Sequence, residues 1–422
     1  MFLQGLVFTT VFGACVGSFL NVVIYRLPER KSLVSPPSHC PCCDHRLAWY
    51  DNVPVLGWFL LAGKCRYCRS PISIQYPIIE ALCAALFGGL FWAYYYSGLR
   101  PDFASPGLGN TWPTLVVHLC LVGALLGATM IDARLYLIPL EIPWTATVIA
   151  VVVLPLGAWR LPEVADIGQP AVASMGGAAI GGAIGLAIAL GLLRVGALAR
   201  SFDEEDAICP QVDGDDPAAQ PSQGEAVGPS DSGGEPGDTG EAGRGGEAVD
   251  PSLWPEWEHP RREVLKEAMF LMLPLLGAIT GLLLVTRGDG SVLDPIDSPP
   301  LRALGTVVAG YLVGGGIVWM TRILGTLMFG REAMGLGDVH LLAAVGAVIG
   351  PVDVIYVFFI APFFGLGATL VMLGVAQVIR QRTRPIPYGP YLAAAALLVM
   401  VLRDWLVQLA GVHPLFAIFG ML

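Results

Sequence analysis

Stretches of about 20 apolar residues recur along this chain, and they constrain its fold more than any other feature. Each is long enough to cross the hydrocarbon core of a bilayer as a helix. Hydrophobic residues make up 55% of the 422 residues, charged residues only 14%, and the mean hydropathy is +0.64. These values exclude a soluble protein of this size. The sequence therefore predicts an all-α polytopic membrane protein with about ten transmembrane helices and a small cytoplasmic domain.

The orientation of the spans follows from the basic residues. Arg26, Arg30 and Lys31 follow the first apolar segment closely, which places its C-terminal end inside the cell. When the later loops are placed on alternate sides of the membrane, most of their Arg and Lys residues lie inside the cell and a minority lie outside. The spans are predicted near 3–24, 77–97, 113–133, 142–160, 172–197, 264–286, 302–322, 339–350, 353–377 and 388–407.

Two aspartates lie at the ends of apolar spans. Asp338 directly follows Gly335-Leu336-Gly337, and Asp132 ends the third span. A carboxylate at a membrane boundary is costly to keep without a partner or a role. Under the predicted orientation both residues lie at the cytoplasmic face, so they can share one site. Such a pair suggests an aspartyl protease, with one carboxylate ionised and the other protonated.

Five of the nine cysteines fall in one short block. Cys40/Cys43 and Cys65/Cys68 form two C-x-x-C pairs, and four thiolates suit tetrahedral zinc. Cys42 is an alternative to Cys43, and His39 or His45 can replace a thiolate. Disulfides are disfavoured in the reducing cytoplasm. Because a set of four sulfurs leaves no position for water, we interpret the zinc as structural.

An acidic segment interrupts the apolar pattern. Residues 201–250 hold 14 Asp and Glu against the single Arg244, a local charge of −13; since the whole chain carries −10, the rest of it carries +3. Gly, Pro and Ser dominate, which predicts a disordered cytoplasmic insert. The predicted organisation is a first span (1–24), a zinc domain (25–75), spans with Asp132 (76–200), the insert (201–262) and spans with Asp338 (263–422).

The motifs together resemble the prepilin peptidase, or type IV leader peptidase, family of G-x-G-D membrane aspartyl proteases. The resemblance covers most of the chain outside 160–300. The matching stretches are Gly17–Pro28, the cysteine block, Tyr50–Trp58, Cys65–Ser73, Tyr76–Glu80, Asp132 with Ile138-Pro139, Glu332–Val339 and Pro387–Tyr391. The chain departs from the family pattern at His340, where Lys is common, and at Leu140-Glu141.

This resemblance implies cleavage of a basic leader from prepilins or pseudopilins at the cytoplasmic face of the bacterial inner membrane, in pilus or type II secretion assembly. Asp132 and Asp338 would be the catalytic pair, and Gly335 and Gly337 would form the substrate-binding loop. Many family members also N-methylate the new N-terminus, with S-adenosylmethionine as cofactor. The expected partners are prepilin substrates and the lipid bilayer, and no nucleic acid is expected.

The rival hypothesis is a proton- or ion-coupled transporter, because intramembrane carboxylates also relay protons. Two observations weigh against it. Both aspartates lie at one face instead of the midplane, and the sequence has no evident inverted repeat.

Overall fold

The predicted helical architecture is confirmed. The computed structural model describes residues 2–165, 167, 173–199, 201, 207–208, 256–257, 260–285, 298–379 and 387–409. Across these ranges, nine helices are long and apolar enough to cross a membrane, and one shorter apolar helix accompanies them. The helices are α1 (Phe2–Arg26), α2 (Leu56–Leu60), α3 (Gln75–Tyr95), α4 (Pro101–Ala104), α5 (Leu108–Leu135), α6 (Glu141–Arg160), α7 (Ala173–Arg194), α8 (Pro260–Val285), α9 (Pro299–Phe329), α10 (Leu336–Ile349), α11 (Pro351–Ile379) and α12 (Gly389–Leu409).

Helix α5 lies at the centre of the bundle. It packs against α1, α3, α6, α10 and α12, and most of its apolar side chains are buried. Tyr136 ends the helix in the left-handed conformation, and its backbone N–H donates to the Asp132 carbonyl. The last turn therefore fixes Asp132 at the end of the central helix.

Helix α10 is only 14 residues long, yet nearly every side chain from Val339 to Ile349 is buried. At 1.5 Å per residue it is roughly 21 Å long, shorter than the hydrocarbon core. Its backbone touches that of α9, because a Cβ on Gly310 would overlap the Gly346 carbonyl. Glycine permits this approach, so α9 and α10 form one tightly packed pair.

The N-terminal helix packs on α3 in the same way. A Cβ on Gly17 would lie 2.7 Å from the Glu80 Cα, and a Cβ on Gly13 would lie similarly close to the Cys83 carbonyl oxygen. Glu80 also accepts a hydrogen bond of 2.6 Å from the Val55 backbone N–H. These contacts place residues 27–74 at the end of the bundle where α1 ends and α3 begins.

The opposite end of the bundle carries buried ion pairs. Arg100, with 2% of its surface exposed, pairs with Asp102 at 2.7 Å and donates to the Met400 carbonyl. Asp353 at the start of α11 pairs with Arg403 of α12 at 2.9 Å. These pairs join the ends of helices that are distant in sequence.

Little of the predicted acidic insert can be compared with the structure, because most of residues 201–262 lie outside the described residues. Within it, strand β1 (Ala207–Ile208) pairs antiparallel with β2 (Glu256–Trp257), and α8 begins at Pro260. The division of the chain into five segments remains a prediction.

Candidate active site and metal centre

Asp132 is buried in the last turn of α5, with 6% of its surface exposed. Its Oδ2 accepts a hydrogen bond of 3.0 Å from the backbone N–H of Gly389, the first residue of α12. A Cβ on Gly389 would lie 2.5 Å from the same oxygen. The carboxylate therefore sits directly against the α12 backbone, in a position that only glycine leaves open.

Asp338 is the third residue of α10 and is half-buried. Gly335 is the N-cap, with extended backbone angles, and a Cβ built on it would lie 3.8 Å from Asp338 Oδ2. A carboxylate in the first turn benefits from the positive end of the helix dipole. The local fold thus holds Asp338 at the N-terminus of a buried helix.

The structure brings the two aspartates together. Their charges lie close enough to repel each other, and Tyr388 lies beside Asp338. Burial, together with the negative charge of Asp338, raises the pKa of Tyr388 to about 12, so its hydroxyl stays protonated. Because neighbouring carboxylates repel each other when both are ionised, this arrangement disfavours the doubly ionised pair.

The glycines of the G-x-G-D motif make the approach possible. A Cβ on Gly337 would lie 3.0 Å from the Cβ of Ile138, which follows Asp132 in the loop between α5 and α6. Gly335 provides the N-cap next to Asp338. Both residues lie at the site, although their predicted role in binding substrate remains a prediction.

Sequence reasoning missed two components of this site. Gly389 contacts Asp132 across 257 positions of sequence, and only its place in the Pro387–Tyr391 stretch singled it out. The second component is a buried arginine, Arg322, which donates to the Met334 carbonyl just before the motif. The sequence signal for Arg322 is its positive charge within an apolar span. From sequence alone, that charge indicates only the orientation of the span.

The four predicted cysteines converge at the other candidate site. The Sγ atoms of Cys40, Cys43, Cys65 and Cys68 all lie within 4.8 Å of one another, and the Cys40 and Cys68 sulfurs are 3.7 Å apart. Zn–S bonds of about 2.3 Å in a tetrahedron require sulfur separations of about 3.8 Å. The cluster can therefore hold a zinc ion.

The two C-x-x-C pairs have the same local geometry. In the first, the Asp44 N–H donates to the Cys40 carbonyl, and Asp44 is left-handed. In the second, the Arg69 N–H donates to the Cys65 carbonyl, and Arg69 is left-handed. Each turn directs both of its sulfurs to one point, as a metal knuckle does. Ion pairing of Asp51 with Arg66 at 2.6 Å ties the second turn to the rest of the domain.

The geometry also decides between the alternative ligands. Cys42 is exposed and lies outside the cluster, while His39 contacts the Pro37 carbonyl and Asp44. Burial of Cys40 opposes ionisation, but hydrogen bonds from the backbone of Cys42 and Cys43 lower its pKa to about 6. The pKa of Cys43 in the same cluster is raised instead, and since zinc binds the thiolate, its binding would displace the protons that the cluster still holds.

Comparison with known proteins gives matches at both ends of the chain. A family model described as "Bacterial Peptidase A24 N-terminal domain" matches residues 11–94, and one described as "Type IV leader peptidase family" matches residues 268–370. The second match contains Asp338 and its glycines. No solved structure matches the chain.

Curated relatives agree with these matches. A protein of Myxococcus xanthus named "Prepilin leader peptidase/N-methyltransferase" is 44% identical over 135 residues, which is 32% of this chain and 36% of the relative. Proteins of the same name from Pseudomonas putida and Pectobacterium carotovorum are 33% and 36% identical, over 36% and 31% of this chain and 56% and 50% of the relatives. The chain thus spans between about a third and just over half of the length of these relatives.

The nine long apolar helices among the described residues indicate a multi-pass membrane protein. The matched segments contain most of the stretches on which the resemblance rested, including the cysteine block and the G-x-G-D motif, whereas Asp132 with Ile138-Pro139 and the Pro387–Tyr391 stretch lie outside them. The resemblance is therefore confirmed: the chain is similar to the type IV leader peptidase family in both matched segments.

Proposed function

We propose that this protein is a membrane aspartyl endopeptidase that removes the basic leader from prepilins or pseudopilins at the cytoplasmic face of the membrane. The observation that carries the proposal is the meeting of Asp132 and Asp338 from distant helices at one end of the bundle. The names of the relatives supply the substrate class.

The proposed reaction is the attack of water on a Gly–X peptide bond. The ionised aspartate takes a proton from water, and the protonated aspartate donates its proton to the scissile carbonyl oxygen as the oxygen of water bonds to carbon. Collapse of this intermediate breaks the C–N bond: the leaving nitrogen takes up the proton held by the base, and one hydroxyl of the intermediate returns its proton to the other aspartate, which restores the starting state of the pair. The backbone N–H of Gly389 orients the Asp132 carboxylate for these transfers, and the N-terminal turn of α10 holds Asp338.

The cytoplasmic placement rests on charge. Arg26, Arg134 and Arg194 end α1, α5 and α7, whose C-terminal ends share the side of the bundle on which Asp132 lies. Arg160 ends α6 on the other side. An excess of basic residues favours the cytoplasm. The leader is basic, so it is expected to remain on this side.

We further propose a second activity and a metal. The names of the relatives include N-methyltransferase, which supports methylation of the new N-terminal amine; S-adenosylmethionine would supply the methyl group. Zinc bound by Cys40, Cys43, Cys65 and Cys68 would stabilise residues 25–75 and leave no open position for catalysis.

The test uses purified protein and a purified prepilin in detergent or vesicles, with the masses of the products measured with and without S-adenosylmethionine. The wild type should release the leader, and the mature product should gain the mass of a methyl group only when the cofactor is present. Asp132→Asn and Asp338→Asn should each abolish cleavage while the protein remains folded, because an amide cannot act as a base. A single variant with near-normal turnover would remove that aspartate from the mechanism.

A further inference from the structure

Arg322 is the largest fully buried side chain among the described residues, with 1% of its surface exposed. It lies two turns before the end of α9, in an apolar bundle. A buried guanidinium is strongly unfavourable unless its donors are paired. The contacts that pair it therefore indicate what it does.

One side of the guanidinium faces α8. Its Nε and Nη2 donate to the Glu267 carboxylate at 3.2–3.3 Å, and Glu267 has only 2% of its surface exposed. The indole N–H of Trp319 donates to the same carboxylate at 2.7 Å. Both oxygens of Glu267 are thus engaged, and the orientation of the arginine is fixed.

The other side faces the loop that leads to the G-x-G-D motif. Nη1 of Arg322 donates to the Met334 carbonyl and to the Glu332 carboxylate. Thr326, one turn further along α9, accepts a hydrogen bond of 3.2 Å from the Ala333 backbone N–H through its hydroxyl. The loop between α9 and α10 is therefore held by α9 immediately before Gly335.

We propose that Arg322, oriented by Glu267, is a positioning residue that holds the 330–335 loop in the conformation that presents Asp338 to Asp132. This inference rests on the proposed function for its effect on catalysis, but its effect on the loop is independent of any activity. Neither the relatives nor the family matches assign a role to this pair.

The chemistry of the side chain fits this role. Gly335 and Gly337 leave the backbone around Asp338 with many accessible conformations, so an external constraint is needed to select one. The planar fork of arginine bonds a carboxylate on one edge and a carbonyl on the other at the same time. Lysine has the charge but not the fork, so it can pair with Glu267 without holding Met334.

The first experiment measures the loop directly. Hydrogen exchange of the full-length protein in detergent, read by mass spectrometry, should show faster exchange in peptides covering 330–336 in Arg322→Gln than in the wild type. The expected increase is about 10-fold or more, the size that follows from losing a hydrogen bond to a charged group. Peptides covering 343–349 of α10 should change little. Arg403→Gln is the matched control, because it removes another arginine that pairs with a buried carboxylate, at the opposite end of the bundle.

The second experiment measures prepilin cleavage. Arg322→Gln and Glu267→Gln should each lower kcat by about 100-fold with little change in KM, the effect of a misplacement of about 1 Å. Arg322→Lys should keep thermal stability closer to the wild type but recover little of kcat, because lysine cannot bridge to Met334. If Arg322 served only to neutralise the charge of Glu267, Arg322→Lys would instead restore kcat.

The outcomes separate the two proposals. Unchanged loop exchange in Arg322→Gln, or the same increase in Arg403→Gln, would overturn the positioning role. If Arg322→Gln does not fold, Glu267→Gln and Arg322→Lys provide the same comparison. If the wild type cleaves no prepilin, the proposed function fails, while the exchange result still decides whether Arg322 holds the loop.

Discussion

Gly389→Ala changes the candidate site by a single methyl group, and the structure gives the size of the perturbation. The new Cβ would lie 2.5 Å from Asp132 Oδ2 and 3.3 Å from its Cγ, whereas ordinary van der Waals contact begins at 3.4 Å. The carboxylate must therefore move by about 0.9 Å, or α12 must shift by as much. Since a misplacement of about 1 Å can cost roughly 100-fold in rate, we expect kcat for prepilin cleavage to fall by about that factor.

The substitution should leave the rest of the molecule intact. Gly389 begins α12, where alanine is the better helix former, so any loss of thermal stability should come only from the local contact. Gly316→Ala is the matched control, because a Cβ at this position of α9 meets nothing within 4 Å. The control should keep the kcat of the wild type.

The assay is the initial rate of leader release at several prepilin concentrations, which separates kcat from KM. A fall in kcat with unchanged KM is expected, because the alanine displaces a reacting group and not the bound peptide. If Gly389→Ala keeps the rate of the wild type while Asp132→Asn is inactive, the contact between Gly389 and Asp132 does not position the carboxylate. The reasoning from close packing to catalysis would then be wrong.

Two further predictions concern the regions outside the aspartate site. Cys68→Ser should lower bound zinc, measured by metal analysis, and destabilise residues 25–75, while Cys42→Ser should keep the metal because Cys42 lies outside the cluster. Equal loss in both variants, or no zinc in the wild type, would contradict the four-sulfur site. Deleting residues 210–250 should leave the melting temperature and cleavage unchanged at all salt concentrations, because their composition provides little apolar surface to bury. A rise in KM confined to low salt would show instead that the acidic segment attracts the basic leader, and loss of folding would contradict both interpretations.

The sequence predicted the features that depend on local pattern. Hydropathy located the ten apolar helices, with the largest error at the end of α9, which was predicted at residue 322 and lies at Phe329. Alternation of the spans put Asp132 and Asp338 at one end of the bundle, where the structure brings them together. The spacing of the cysteines predicted the four-sulfur cluster. Helix positions and the cysteine cluster depend on residues close together in sequence, and the side of each aspartate depends only on the number of membrane crossings before it.

The features that sequence reasoning missed depend on packing between distant segments. Nothing near Gly389 indicates that its N–H meets Asp132, because that contact depends on how α12 lies against α5. Arg322 was counted as one basic residue among many, although Glu267 and Met334 surround it. The C-x-x-C spacing favours Cys43 over Cys42, but only the folded turn shows that the Cys43 sulfur joins the cluster and the Cys42 sulfur does not.

Helices α7 and α8 approach each other more closely than side chains would permit. Cβ atoms on Gly181 and Gly185 would overlap the carbonyls of Gly277 and Leu273, so the two backbones run antiparallel in direct contact. The ends at Arg194 and Pro260 are thereby fixed beside each other, and the chain between them closes a loop whose ends are held by the membrane helices. The entropy of closing a flexible loop grows only with the logarithm of its length, by about 0.6 kcal/mol for each doubling. The composition of the segment between α7 and α8 predicts disorder, so we expect that it can lengthen or shorten by many residues at little cost to the bundle and that it tolerates an inserted reporter domain.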